Sequence, residues 1–201
     1  MVSSVYKPLI NRFIEPIARV AVRAGITPNV VTIVGTTGSI ASAIYFYLDG
    51  RLVIGTILIS IFALSDLFDG AIARVSKAGP SAWGGFLDST CDRLTDSAIL
   101  GSLAIYSLRS ENPLTPVILV AIVFGSLVPY IRAKAESYGI PCTVGIAERT
   151  ERLVIALVAI GFHGLGVPYI LTSGIWLLLT LSVVTVIQRV MVVRTGLSKN
   201  V

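Results

Sequence analysis

Charge is scarce in this sequence. Asp, Glu, Lys and Arg fill 13% of the 201 positions, about half the share of an ordinary soluble domain. Hydrophobic residues fill 54% and the mean hydropathy is +0.85. That shortage excludes a fold whose surface is kept in water by charge and leaves lipid as the solvent. Cysteine and histidine are almost missing as well. Cys91 and Cys142 have no C-x-x-C spacing and His163 stands alone, so neither a Cys/His zinc site nor a disulfide framework is expected. The first 25 residues lack the continuous apolar core and small-residue cleavage site of a secretory signal, and none is expected. No internal repeat or low-complexity tract is visible. The net charge is +5, but the basic residues are scattered between apolar runs. Nucleic acid is therefore not an expected partner, whereas membrane lipids with anionic headgroups and phosphorylated substrates are.

What the chain does have is long apolar runs. A transmembrane helix needs about 20 mostly apolar residues, and six stretches meet that length: 28–48, 52–75, 85–108, 114–138, 149–166 and 169–193. The first opens on Thr27-Pro28, a capping residue followed by a proline suited to a first helical turn. Asp49-Gly50, Gly79-Pro80, Glu111-Asn112-Pro113, Pro141 with Gly145, and Gly164, Gly166 and Pro168 separate the runs. Upstream, Ile10, Phe13, Ile14, Ile17 and Val20 recur at helical spacing against Lys7, Arg12, Arg19 and Arg23, the pattern of an amphipathic helix on a membrane surface. The expected fold is an all-α integral membrane protein of one domain over 1–201. An amphipathic juxtamembrane helix (1–25) precedes a core of six transmembrane helices (28–193). With six spans, all but Arg51 and Arg109 of the 16 Lys and Arg residues fall on one side. The positive-inside rule then puts both termini and the acidic cluster at the cytoplasmic face of the cell membrane.

That acidic cluster is the anomaly. Asp66, Asp69, Asp88 and Asp92 lie within DLFDGAIARVSKAGPSAWGGFLDSTCDR (66–93), where carboxylates are costly. The spacing of three between the first pair and of four between the second puts each pair on one helical face. A short connection makes the two helices antiparallel neighbours, so four carboxylates can converge. Uncompensated they would repel. A divalent cation resolves this, and an all-oxygen donor set points to Mg²⁺ or Mn²⁺. Capping at the interface with pairing to Arg74 and Arg93 accounts for one or two of these acids, but not for four on matching faces. Gly70 leaves backbone room beside such a site. Arg74, one turn on, is placed to neutralise a phosphate.

The order Asp66-x2-Asp69-Gly70-x2-Ala73-Arg74, then Gly84-x3-Asp88-x3-Asp92, resembles the signature of the CDP-alcohol phosphotransferases. Eight fixed residues match in one register. The departure is a stretch of nine residues, 75–83, between Arg74 and Gly84, where the family usually has about eight. The resemblance implies transfer of the phosphatidyl part of a CDP-lipid to the hydroxyl of a small alcohol, with release of CMP. Around the signature, FLDSTCDRLTD (86–96), YIRAKAESYGI (130–140) and AERTERLVI (147–155) are most similar to family members that use CDP-diacylglycerol and myo-inositol 3-phosphate and form homodimers.

The resemblance also implies roles. Asp66, Asp69, Asp88 and Asp92 become the metal set, with Asp92 the catalytic base that takes the acceptor's proton. Pro28, Asn29, Val30 and Val31 lie beside the CDP moiety, although TPN reads equally well as a plain helix start, and Gly70, Ala73, Arg74 and Pro80 line the same donor. From charge alone, Arg132, Lys134, Arg149, Arg152 and Arg189 offer a pocket for a dianionic acceptor phosphate. Positive-inside signalling accounts for that cluster as a whole equally well. Lys134 and Arg152 are the favoured ligands because each abuts an apolar run, and Glu136, Glu148 and Glu151 are expected to orient the bases. Asp96 is expected to make a supporting hydrogen bond, and His163 to be a plain interfacial residue. Glycerol 3-phosphate as acceptor and an ether-lipid donor stay open. A cation channel lined by the aspartates is the rival from another class, but it would spread acids through the membrane depth.

Overall fold

The computed structural model describes residues 14–76 and 79–199; Lys7, Ile10, Arg12 and Phe13, named above, lie outside them, as do Lys77 and the side chain of Lys199. Among the described residues the regular structure is entirely helical: α1 (14–23), α2 (Pro28–Ser42, continued by the π-helical turn Ala43–Tyr47), α3 (Leu52–Ala63), α4 (Ser65–Val75), α5 (Ala82–Arg109), α6 (Thr115–Ser137), α7 (Arg149–Gly164) and α8 (Ile170–Lys199). Four stretches are long and apolar enough to cross a membrane: Pro28–Tyr47, Leu52–Val75, Thr115–Ser137 and Ile170–Ser198. This marks a multi-pass membrane protein. The other two expected spans are helical but differ in kind. The first half of α5 carries Asp88, Asp92, Arg93 and Asp96, and α7 has 16 residues, short of the length that crosses a bilayer untilted.

The helices divide into two compact units, residues up to Ser42 with Ile57–Thr95, and Ala43–Thr56 with Asp96 onward. In the first, α1 ends where Gly25 takes φ 77°. Ile26 N–H donates to the Ala21 carbonyl (3.0 Å) and Gly25 N–H to Val22 (3.1 Å), closing the end with the left-handed residue that glycine tolerates best. Ile14, Ala18, Ala21 and Val22 of α1 pack on Ala71, Ile72 and Val75 of α4 and on Val31 of α2, while Ile17 and Val20 stay exposed. α2 lies close on the junction of α3 and α4 because Gly35 faces Ser65 of α4 and the Phe62 carbonyl of α3, and Gly38 faces the Phe62 ring. Between α3 and α4 the ladder tightens for one turn: Leu67 N–H reaches Leu64 O at 3.0 Å, and Leu64 N–H reaches Ile61 O at 3.2 Å.

In the second unit, the fully buried Tyr47 holds the π turn, its hydroxyl 2.8 Å from Thr56 Oγ1. α8 packs on α6 and α7. Gly174 lets α8 approach Ala159 of α7, and Gly196 meets Ile140 beyond α6, the small-residue contacts by which membrane helices close on each other. Ala135, Ile140 and Cys142 bury together against Val192 and Val193. α8 runs to Lys199, past the expected end at 193, because no proline or capping signal stops it at that point.

Candidate active site

Two helices of the first unit bring the signature together. Asp66 opens α4, where an acid suits the positive end of the helix dipole. Asp69 follows three residues later, 8% exposed, against α2. At the start of α5, Ser81 accepts from Gly84 N–H at 3.0 Å, a side-chain N-cap. This cap starts the helix at Ala82 rather than at the expected 85 and places Asp88 two turns in. One oxygen each of Asp66, Asp69 and Asp88 lies within 4.8 Å of the others. Three carboxylates so close offer a hard cation three oxygen donors, and without one their charges oppose each other. The residues present fit a divalent metal.

Asp92, expected both among the donors and as the base, is not in that group of three. It lies four residues beyond Asp88, about 6 Å along the axis, and Arg93 Nη2 stands 3.8 Å from its Oδ2. Arg74 lies over Gly70: a Cβ at Gly70 would meet the Arg74 Nη1 at 3.5 Å and nothing nearer. The guanidinium and the bare backbone thus stand together, with Gly70 directly following Asp69. At the start of α2, Pro28 and Asn29 are half-buried and Val30 is exposed. Asn29 Oδ1 is 3.4 Å from the position a Cβ at Gly84 would take, so the opening turns of α2 and α5 adjoin. Val31, expected at the nucleotide, packs its side chain against Ala18, Ala71 and Ile72 of the α1–α4 core. Ala73 is half-buried and Pro80 exposed. A residue that sequence reasoning missed completes the site: Thr32 Oγ1 donates to Asp69 Oδ2 at 2.6 Å, both groups buried.

In the second unit the five expected phosphate ligands have unequal freedom. Arg189 is 5% exposed, and its guanidinium donates to the carbonyls of Val144 (3.0 Å) and Val128, fastening α8 to α6 and to the segment before α7. Arg152, 6% exposed, reaches the Ala147 carbonyl at 3.3 Å. Arg149 pairs with Asp96 at 3.3 Å. Arg132 pairs with Glu136 at 2.9 Å, as expected of that glutamate. Lys134 is exposed and its Nζ lies 4.7 Å from the centre of the Tyr138 ring, a cation–π contact.

Residues 25–193 match the CDP-alcohol phosphatidyltransferase family. The phosphatidylinositol phosphate synthase of Streptomyces avermitilis is 41% identical over 96% of this chain and 83% of its own length; that of Mycobacterium tuberculosis is 40% identical over 92% and 87%. A crystal structure of the M. tuberculosis phosphatidylinositol phosphate synthase with CDP-DAG bound superposes with a TM-score of 0.85, at 38% identity, over 90% of this chain and 94% of that one. The same enzyme in complex with manganese and citrate gives a TM-score of 0.84 at 39% identity, over 90% and 89%. The chain belongs to the CDP-alcohol phosphatidyltransferase family. It is thus an enzyme of phosphatidyl transfer, and its relatives within the family make phosphatidylinositol phosphate.

Proposed function

We propose that the chain transfers the phosphatidyl group of CDP-diacylglycerol to myo-inositol 3-phosphate, giving phosphatidylinositol phosphate and CMP. The observation that carries this reading is the convergence of Asp66, Asp69 and Asp88, beside the bare backbone of Gly70 and the guanidinium of Arg74. The three carboxylates hold Mg²⁺, with Mn²⁺ as the alternative. When bound, the cation supplies positive charge to the diphosphate and to the departing CMP. Pro28, Asn29, Val30, Ala73, Arg74 and Pro80 receive the CDP-lipid, with Val31 supporting them from the core. Lys134 and Arg152, with Arg132, Arg149 and Arg189, hold the acceptor's phosphate. The seven helices α2 to α8, with α3 and α4 joined as one of six spans, cross the cell membrane with both termini and the aspartates toward the cytoplasm, and the enzyme works as a homodimer.

Asp92 acts as the base. An alcohol is a weak nucleophile until its proton leaves, and a positioned carboxylate takes that proton as attack begins. The acceptor oxygen bonds to the β-phosphorus of the donor while the bond from that phosphorus to the bridging oxygen breaks, and CMP departs with the electron pair. Displacement of this kind inverts phosphorus. A donor chirally labelled at the β-phosphorus tests it: inversion is expected, and Asp92→Asn should lose turnover by about 10²–10⁴-fold while still binding CDP-lipid. Retention of configuration, or near-normal turnover in the variant, would overturn the assignment.

A further inference from the structure

We infer that Thr32 is a positioning residue that sets the Asp69 carboxylate for its cation, an inference that rests on the metal reading above. Thr32 lies on α2, one turn beyond Pro28, and is 6% exposed. Its Oγ1 is 3.1 Å from the Pro28 carbonyl and 2.6 Å from Asp69 Oδ2. A hydroxyl carries one proton, so it serves one of these acceptors at a time. A helical threonine ordinarily gives its proton to the carbonyl four residues back. Here the shorter contact is to a carboxylate, in the range of a charge-assisted O–H···O⁻ bond, and the proton goes to Asp69.

The consequence is directional. With Oδ2 tied to α2, the carboxylate cannot rotate freely, and Oδ1 with the remaining lone pairs of Oδ2 is what Asp69 can offer a cation. The tie is stiff at both ends. Threonine is branched at Cβ and held to few rotamers, and one turn further along α2, Gly35 seats the helix directly on Ser65 and Phe62. The donor works by holding a ligand, as outer hydrogen-bond partners of metal ligands do, and losing such a partner weakens metal binding by about 10–100-fold.

A purely structural threonine would affect stability and leave the metal affinity of the folded protein alone, so the test reads affinity. The full chain in detergent is titrated with Mn²⁺, and free Mn²⁺ is followed by electron paramagnetic resonance for wild type, Thr32→Val, Thr32→Ser and Asp69→Asn. Thr32→Val, which keeps the shape and loses the donor, should bind Mn²⁺ about 10–100-fold more weakly. It should also need correspondingly more Mn²⁺ for half-maximal CMP release, with the KM for CDP-diacylglycerol at saturating metal unchanged. Thr32→Ser, which keeps the donor, should retain the wild-type affinity. Wild-type affinity in Thr32→Val would overturn the inference, and so would a loss of about 10–100-fold in Thr32→Ser, whose donor is intact and which can be read even if the valine variant does not fold. If wild type binds Mn²⁺ no better than Asp69→Asn, the carboxylate site itself is misread and the inference falls with it.

Discussion

Gly70 separates what the fold requires from what the reaction requires. A methyl there would touch only the Arg74 guanidinium at an ordinary 3.5 Å, and alanine suits a helix better than glycine by about 1 kcal/mol. Packing therefore gives no reason for glycine; the proposed approach of the donor's diphosphate does. Gly70→Ala should keep or raise the thermal midpoint yet lower kcat/KM for CDP-diacylglycerol by roughly tenfold or more, about 1.4 kcal/mol in the barrier. Unchanged kinetics would mean that the donor does not approach this face. At this scale the convergence of Asp66, Asp69 and Asp88 was legible in the sequence, since helical spacing fixes which acids share a face before any packing is known, whereas Asp92 falls outside that group. Thr32 was not, because a hydroxyl in an apolar helix carries no pattern and its partner lies 37 positions away. The grip of Arg189 on the carbonyls of Val128 and Val144 was hidden too, because backbone acceptors leave no mark in the sequence.

At the scale of elements, the site depends on how closely α2 lies on α4. Gly35 is a point of close approach: a Cβ there would strike the Ser65 side chain and come within 3.1 Å of the Phe62 carbonyl at the end of α3. Backbone cannot yield as a flexible side chain can. Gly35→Ala should cost about 1–3 kcal/mol, seen as a lower thermal midpoint in detergent, and should weaken Mn²⁺ binding along with it by displacing Thr32 from Asp69. A stable variant with full affinity would show that the contact is not what holds α2 in place. The four long apolar helices were readable because Asp49-Gly50, Gly79-Pro80 and Glu111-Asn112-Pro113 interrupt them in the sequence itself. The tightened turn at Leu64 was not readable, for no glycine or proline marks it. α5 starts three residues before the apolar run that marks it in the sequence, because Ser81 caps it within the Gly-Pro loop.

For the whole molecule, the shortage of charge identified the solvent and the few charges identified the chemistry. Four helices are long and apolar enough to span lipid, while α5 gives up apolar character to present Asp88 and Asp92. Composition cannot name an acceptor, because inositol 3-phosphate and glycerol 3-phosphate both bring a hydroxyl and a dianionic phosphate to the same kind of basic side chains. The most direct test is therefore CMP release by the purified chain given CDP-diacylglycerol and Mg²⁺ or Mn²⁺, with myo-inositol 3-phosphate, free inositol and glycerol 3-phosphate supplied separately. CMP should appear with inositol 3-phosphate, stay near background with the other two, and vanish when the metal is chelated. Metal-independent release, a preference for glycerol 3-phosphate, or ion flux without CMP would contradict the account.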